Sequence, residues 1–330
     1  MPDKIHWGIL GCGRIARKFA TDLQLIDDAI LVAAGARSIE SANAFAKDFP
    51  VAYTHGSYKE LVQNENIDVI YVATPHSEHY KNTMLCLGHD KAVLCEKAFA
   101  VNHQQAQAMI DKAREKKVFL MEALWTKFLP NYQTLQNLLA QKKIGEIKSV
   151  LINFGFAPQP PVPLRLLDPA LAGGTMLDIG IYNVFMAMSI LGKPDSIKAH
   201  MTPASTGVDE QCAVWLMYKN GAVAQLFSTF ASNLATEAHI GGTSGRICLT
   251  HRFYSPDAII EYYPGTPNTK EVIDVERGDG HGYQHEAQHV CNCLRDGLTE
   301  SPVMTHEDTL QLMEVLDEIR RQAGVKYEED

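Results

Sequence analysis

An apolar run, Ile5–Leu10, stops abruptly at Gly11-Cys12-Gly13-Arg14-Ile15-Ala16, and Ile15, Phe19 and Leu23 then recur every four residues. The run reads as a buried strand, the glycines as a turn and the recurrence as one face of a helix. This is the G-x-G-x-x-G/A arrangement of a dinucleotide site. Gly11 permits the tight turn. Gly13 lets backbone N–H groups approach a pyrophosphate at the positive end of the helix. Ala16 is small enough for the helix to lie close on the strand. Gly11, Cys12, Gly13, Arg14 and Ile15 are therefore the candidate pyrophosphate cradle.

The same rhythm continues. Strands are expected at 30–36, 51–53, 68–74, 92–96 and 118–122, alternating with helices. Ser57 with Glu60 and Asn102 with Gln105 have capping spacing, and Ser77 is placed to cap the helix after the fourth strand. Strand and helix in alternation specify a parallel, doubly wound α/β sheet. Its ligand edge collects the strand ends that precede helices.

After Trp125 the rhythm changes. A helix at 132–142 and a strand at 147–156 lead into a proline-rich segment, 157–171, read as a surface or active-site loop. An apolar helix follows at 177–191. Seven strands are then expected between 197 and 275, with a tight hairpin at Asn220-Gly221, before helices at 283–295 and 305–322. The second part is an α+β domain with an open, mostly antiparallel sheet. The division falls at 1–123 and 124–330.

Net charge is −9 and no long basic run occurs, which argues against nucleic acid as a partner. No uninterrupted apolar stretch reaches the ~18 residues of a membrane span, so no membrane is expected. The chain enters a strand by Ile5, and a signal peptide is not expected. Seven cysteines, an odd number scattered over 330 residues, suit free thiols in a cytoplasm.

An NAD site usually has an acid at the end of the second strand. Here Ala36-Arg37-Ser38 stands there, with Arg37 24 residues beyond Gly13. A guanidinium beside a 2′-phosphate favours NADP over NAD. Two further stretches reach the ligand edge. Thr74-Pro75-His76-Ser77-Glu78-His79 ends the fourth strand, and Glu96-Lys97 ends the fifth. A lysine there lies beside the nicotinamide, where desolvation or a neighbouring cation lowers its pKa toward proton transfer. In Gly173-Gly174-Thr175-Met176-Leu177-Asp178-Ile179-Gly180-Ile181-Tyr182, a carboxylate and a phenol four residues apart share a helical face and can address a polyol.

Together these pieces resemble the Gfo/Idh/MocA family of oxidoreductases over nearly the whole chain: GCGRIA at 11–16, Arg37, HSEH at 76–79, VLCEK at 93–97, EALWTKFLP at 122–130 and GGTMLDIGIY at 173–182. Many members carry histidine where this chain has Tyr182, whereas the dihydrodiol-oxidising branch carries tyrosine. The usual E-K-P is Glu96-Lys97-Ala98 here. The resemblance implies a Rossmann domain, a second sheet that forms a homodimer, and a last helix that returns to the first domain. It implies NADP-dependent hydride transfer to or from a cyclic sugar or trans-dihydrodiol. The competing readings are a keto- or deoxysugar reductase and a dinucleotide-binding regulator without turnover. Catalysis falls to Lys97, Tyr182, Asp178 and His79. An ordinary phenol, pKa near ~10, is too weak a base at neutral pH unless a nearby ammonium favours phenolate. Tyr182 is thus read as the proton-transferring group and Lys97 as its partner, with the reverse close behind. Asp178 is read as orienting the substrate or Lys97. The cofactor set is the glycine turn with Arg37, Ser38, Thr74, Pro75, His76, His79, Glu96, Lys97 and Trp125.

His281, His285 and His289, with Cys291 and Cys293, have spacing a zinc ion would use. The run is placed in the second domain, away from the nicotinamide, and hydride plus proton transfer needs no metal. No metal is expected.

Overall fold

The computed structural model describes residues 4–265 and 269–330. The chain forms two compact units. The first holds the residues up to Lys127 together with Gly278–Leu310, and the second holds Phe128–Arg277 with Gln311–Asp330.

In the first unit, strands and helices alternate as β1 (Ile5–Leu10), α1 (Arg14–Leu23), β2 (Ala29–Gly35), α2 (Ile39–Asp48), β3 (Tyr53–His55), α3 (Tyr58–Val62), β4 (Val69–Val72), α4 (His76–Gly88), β5 (Ala92–Glu96), α5 (His103–Lys116) and β6 (Leu120–Ala123). The six strands are parallel in the order β3-β2-β1-β4-β5-β6. β4, β5 and β6 are buried along their whole length, the mark of a sheet covered on both faces. Ser57 accepts from the Glu60 N–H at 3.2 Å, and Asn102 accepts from the Gln105 N–H at 2.9 Å, so both anticipated caps form. Ser77 does not cap. Pro75 stands at the N-cap of α4 and Ser77 is already inside the helix, because proline fixes the turn two residues earlier.

The first unit also contains α9 (Tyr283–Arg295), which the sequence rhythm assigned to the second domain of a 1–123/124–330 division. The reason is a buried anchor. Asp22, fully buried on α1, accepts the N–H groups of His281 at 2.8 and 2.9 Å and of Tyr283 at 2.8 Å. That carboxylate takes the place of an N-cap side chain at the positive end of α9. Asp28 binds Gln288 at 2.9 Å and Arg295 at 2.6 Å further along. The penultimate helix therefore belongs to the first unit, as do the opening residues of the last helix, up to Leu310.

The second unit contains α6 (Pro130–Ala140), β7 (Ile147–Gly155), α7 (Leu164–Leu167) and α8 (Ile181–Leu191), then β8 (Ser196–Pro203), β9 (Asp209–Met217), β10 (Val223–Thr229), β11 (Ala238–Gly242), β12 (Gly245–Thr250), β13 (Ile259–Pro264) and β14 (Glu271–Ile273). The division between units crosses α10 (His306–Ala323). The eight strands are ordered β14-β13-β12-β11-β7-β10-β9-β8, antiparallel except for the β7–β10 pair. Register sorts the side chains into two rows. Ile260, Leu249, Ala238, Ile152, Leu226 and Val214 stand opposite one another and are buried. The neighbouring row is Val272, Glu261, Cys248, His239, Leu151, Gln225, Trp215 and Lys198, on the open face. Val272, Leu151 and Trp215 are exposed there.

The helical run Pro169–Leu191 contains an 18-residue window of mean hydropathy 1.4, apolar enough for a span, which corrects the reading that no such stretch exists. Within the fold 78% of that window is buried, so it is a core helix.

Candidate active site

The site is built from strand ends. Gly11 has φ +98°, and a Cβ there would lie 3.0 Å from the carbonyl oxygen of Ala73. Only glycine fits. Gly13 is the N-cap of α1, with no side chain bonded to the first amides, and a Cβ at Gly13 would meet nothing within 4 Å. Exposed Gly13 and Arg14, with half-buried Cys12 and Ile15, surround these uncapped N–H groups. The cradle fits a pyrophosphate. Burial pushes the Cys12 thiol up to about 11, so it is no nucleophile at neutral pH.

Beyond β2, Ala36 is buried and Arg37 is exposed. Arg37 lies close enough to Tyr58 to stabilise its phenolate, although burial keeps that phenol above its ordinary value. Ser38 does something other than expected: its hydroxyl caps α2 by accepting from the Ser41 N–H at 3.3 Å.

At the end of β4, Thr74 Oγ1 accepts from Asn82 at 3.2 Å, Pro75 starts α4, and His76 meets the His79 ring edge-on at 5.8 Å. His79 is not placed as a proton donor to substrate. It is fully buried, with Nδ1 2.7 Å from the Ala98 carbonyl and Nε2 2.8 Å from the Thr74 carbonyl. Burial lowers its pKa to about 4, against the pull of both carbonyls. The neutral ring has one N–H to give, and both nitrogens are closed off by backbone. His79 pins the turn after β4 to the turn after β5.

That second turn carries Glu96 and Lys97. The buried Glu96 carboxylate accepts from the Tyr71 hydroxyl and, at 3.2 Å, from the Lys97 N–H. Lys97 is half-buried, and the Lys97–Ala98 peptide, where the family motif has proline, is cis. Trp125 stacks on Tyr283 at 4.6 Å, which connects α9 to the end of β6.

Three further residues here were not singled out individually by the sequence reading. Tyr71 lies under Phe19 at 3.8 Å and reaches Glu96. Glu122 accepts from the Phe99 N–H at 3.2 Å and the Thr309 hydroxyl at 3.0 Å, yet burial pushes its carboxyl up to about 7. Glu286 is fully buried and neither carboxylate oxygen has a hydrogen-bond partner among the described residues. Burial, reinforced by Glu96 and Asp22, pushes it well above the usual carboxylate range.

The second unit presents Asp178 and Tyr182 from a π-helical turn, Met176–Gly180, that runs into α8. Such turns often mark functional positions. Thr175 Oγ1 and the Met176 N–H both bond Asp209, at 2.6 and 2.7 Å, which fixes the start of the turn. Gly174 is required there: its φ is +116° and a Cβ would lie 2.2 Å from Asp209 Oδ1. Asp178 bonds Arg165 at 2.8 Å, so it fastens the proline-rich segment to the turn, a job the sequence did not reveal. That segment is partly helical, at Leu164–Leu167 and Pro169–Leu171. Tyr182 lies in an aromatic cluster, 4.7 Å from Tyr254 and 6.2 Å from Phe154 between ring centres.

The histidine run belongs to the first unit rather than the second. His281 gives its N–H to Asp22, while His289 Nε2 lies 2.7 Å from the Ser301 hydroxyl and 3.3 Å from Cys293 Sγ.

Residues 5–124 match the Gfo/Idh/MocA oxidoreductase family with its NAD-binding Rossmann fold, and residues 132–248 match the family's C-terminal domain. The chain belongs to the Gfo/Idh/MocA family. It is 39% identical over 329 residues to the trans-1,2-dihydrobenzene-1,2-diol dehydrogenase of Xenopus laevis, covering 97% of this chain and 98% of that one. The protein of the same name from Homo sapiens is 34% identical over 335 residues, 99% of each. Two solved structures share the fold. One is a 3-ketoreductase from Actinomadura kijaniata in complex with NADP and TDP-benzene (TM-score 0.87, 23% identity, 97% and 98% coverage). The other is an aldose-aldose oxidoreductase from Caulobacter crescentus complexed with glycerol (TM-score 0.88, 22% identity, the same coverage). The chain is thus an oxidoreductase with an NAD(P)-binding Rossmann unit, and the strand order of the first sheet is the family's dinucleotide-binding topology.

Glu122 makes the enzyme's stability depend on pH. Its folded pKa of about 7 lies above the ordinary 4.5, so folding retains a proton that the unfolded chain releases. Its contribution is full below pH 4.5 and is lost as pH rises through about 7. Glu122→Gln keeps an acceptor for the Phe99 N–H and turns an amide N–H toward the Thr309 oxygen, which then accepts. The variant is expected to lose less stability than wild type between about pH 5 and about pH 8, the difference being on the order of 3 kcal/mol. Identical pH dependence in urea unfolding of both proteins would refute the assignment.

Proposed function

We propose that this enzyme is an NADP-dependent dehydrogenase that oxidises a secondary alcohol of a cyclic sugar or trans-dihydrodiol. The carrying observation is Tyr182: a phenol on the first turn of α8, beside a π turn, within an aromatic cluster that Phe154 and Tyr254 complete at 4.5 Å from each other. Aromatic faces suit the apolar face of a six-membered ring, and the diol dehydrogenase relatives support that substrate class. Bound NADP supplies the hydride acceptor at its nicotinamide. Tyr182 takes the hydroxyl proton as the carbinol carbon loses hydride, and Lys97 supplies the positive charge that favours phenolate. Asp178 holds Arg165 and so steadies the segment on which the substrate pocket depends.

Cofactor choice rests on Arg37, exposed at the end of β2 with no acid beside it at 36 or 38. A homodimer is proposed through the open face of the second sheet, where Leu151, Trp215 and Ile259 expose apolar surface. Seven cysteines without a disulfide support a cytoplasmic location. The partner is a small molecule, with neither nucleic acid nor membrane involved.

Three measurements check this reading. Arg37→Ala is expected to weaken NADPH binding roughly 10- to 150-fold, the worth of one charged hydrogen bond, and to leave NADH binding nearly unchanged. Equal losses for both would remove Arg37 from the 2′-phosphate. Light scattering at micromolar concentration is expected to give twice the chain mass, and a monomer would sink the dimer. Tyr182→Phe keeps the ring and is expected to cost about 10²- to 10⁴-fold in kcat with NADPH affinity near wild type. Full turnover in that variant beside a dead Lys97→Met would make the lysine the base, and full turnover in both would displace the reaction from these residues.

A further inference from the structure

The open row of the second sheet holds a cluster that the reaction does not use. His239 on β11 stands directly opposite Cys248 on β12, and Glu237 lies two residues before His239, on the same face. His239 Nε2 is 3.0 Å from Glu237 Oε2 and 3.8 Å from Cys248 Sγ, while Nδ1 is 3.2 Å from Sγ. One ligand atom from each residue lies within 4.8 Å of the others. Zinc bonds of ~2.3 Å to sulfur and ~2.0–2.2 Å to nitrogen or oxygen, arranged tetrahedrally, hold such atoms ~3.4–3.6 Å apart. The observed Nε2 separations bracket that range.

We propose that Glu237, His239 and Cys248 form a binding site for one thiophilic divalent cation, zinc by its donor set, with the fourth position open to water. The charges of the donor set favour it. A thiolate, a carboxylate, a neutral imidazole and a dication sum to zero. Of the nearby cations, Arg246 is stacked over Tyr263 at 3.4 Å and Lys270 is bound to Glu261 at 2.7 Å. The same three residues also line up as a thiol–imidazole–carboxylate relay. A nucleophilic relay needs an accessible, acidic thiol, and Cys248 is 3% exposed with its thiol shifted the other way. The site stitches β11 to β12, beside the apolar patch formed by Leu151 and Trp215.

Cobalt(II) is the probe, added to the full-length enzyme. One equivalent is expected to give a near-ultraviolet thiolate-to-cobalt charge-transfer band, and zinc is expected to displace it with a Kd below ~1 μM. Cys248→Ser is expected to abolish the band. His239→Gln and Glu237→Gln, at half-buried positions that fold readily, are each expected to weaken zinc binding at least ~100-fold in calorimetric titration. Absence of the band, its persistence in Cys248→Ser, or unchanged zinc affinity in both glutamine variants would overturn the proposal.

Discussion

The first unit turns on one close approach. At Gly11 the backbone takes φ +98° and passes so near Ala73 that a methyl group would lie 3.0 Å from its carbonyl oxygen. The Ala73 N–H bonds the Leu10 carbonyl at 2.9 Å, so the turns after β1 and β4 leave the sheet together. In the order β3-β2-β1-β4-β5-β6 this is where chain direction across the sheet reverses, and where a crevice opens. The succession continues through the two ring nitrogens of His79, one of which donates a hydrogen bond. Thr74, next to Ala73, meets His79; His79 meets Ala98; and Ala98 follows Lys97. A steric demand at the Gly11 turn therefore propagates to the turn that carries Lys97. A residue that looked like chemistry, His79, is the middle of that mechanical chain.

Buried acids form the second layer of constraint. Asp22 accepts three hydrogen bonds from the start of α9, and Glu96 accepts donors from Tyr71 and Lys97, whereas Glu286 accepts none. An interior carboxylate without donors is costly when charged, and two like charges make it costlier. Burial and these neighbours push Glu286 well above the usual carboxylate range, while Glu96 is tied to the Tyr71 hydroxyl and the Lys97 N–H. The stack of Phe19 on Tyr71 fixes the ring that carries this hydroxyl. Aromatic packing and acid placement are one device.

Much of this was legible. The glycine turn, the alternating strands and helices, the caps at Ser57 and Asn102, and the motif carrying Asp178 and Tyr182 all follow from local pattern, because backbone geometry and side-chain period are local properties. The rest depends on contacts distant in sequence. Asp22 reads as a polar helix residue until α9, some 260 positions later, is seated on it. Arg165 reads as a loop charge until Asp178 is found 13 residues away across the fold. The parallel pairing of β7 with β10 inside an otherwise antiparallel sheet has no local signature. His79 and Ser38 show a further side of this: a polar side chain at a strand end serves ligand or backbone equally well, and the backbone partners of both are set by residues the local pattern does not show.

In the second sheet, register decides which row faces the interior and which is open, since a slip of one residue exchanges them. Glycines set it. A Cβ at Gly242 would lie 2.1 Å from the Ile144 carbonyl oxygen, and one at Gly145 would lie 2.4 Å from Thr243 Oγ1. The turn that joins β11 to β12 is thereby pressed against the turn that enters β7. Ser244 and Thr243 give their N–H groups to Ile144 and Glu146 at 2.9 Å each. Once those turns are locked, Ile240 and Leu249 have no choice but the interior, and His239 and Cys248 none but the open face. The buried row that holds the unit together and the open row that carries His239 and Cys248 are consequences of the same few close backbone contacts.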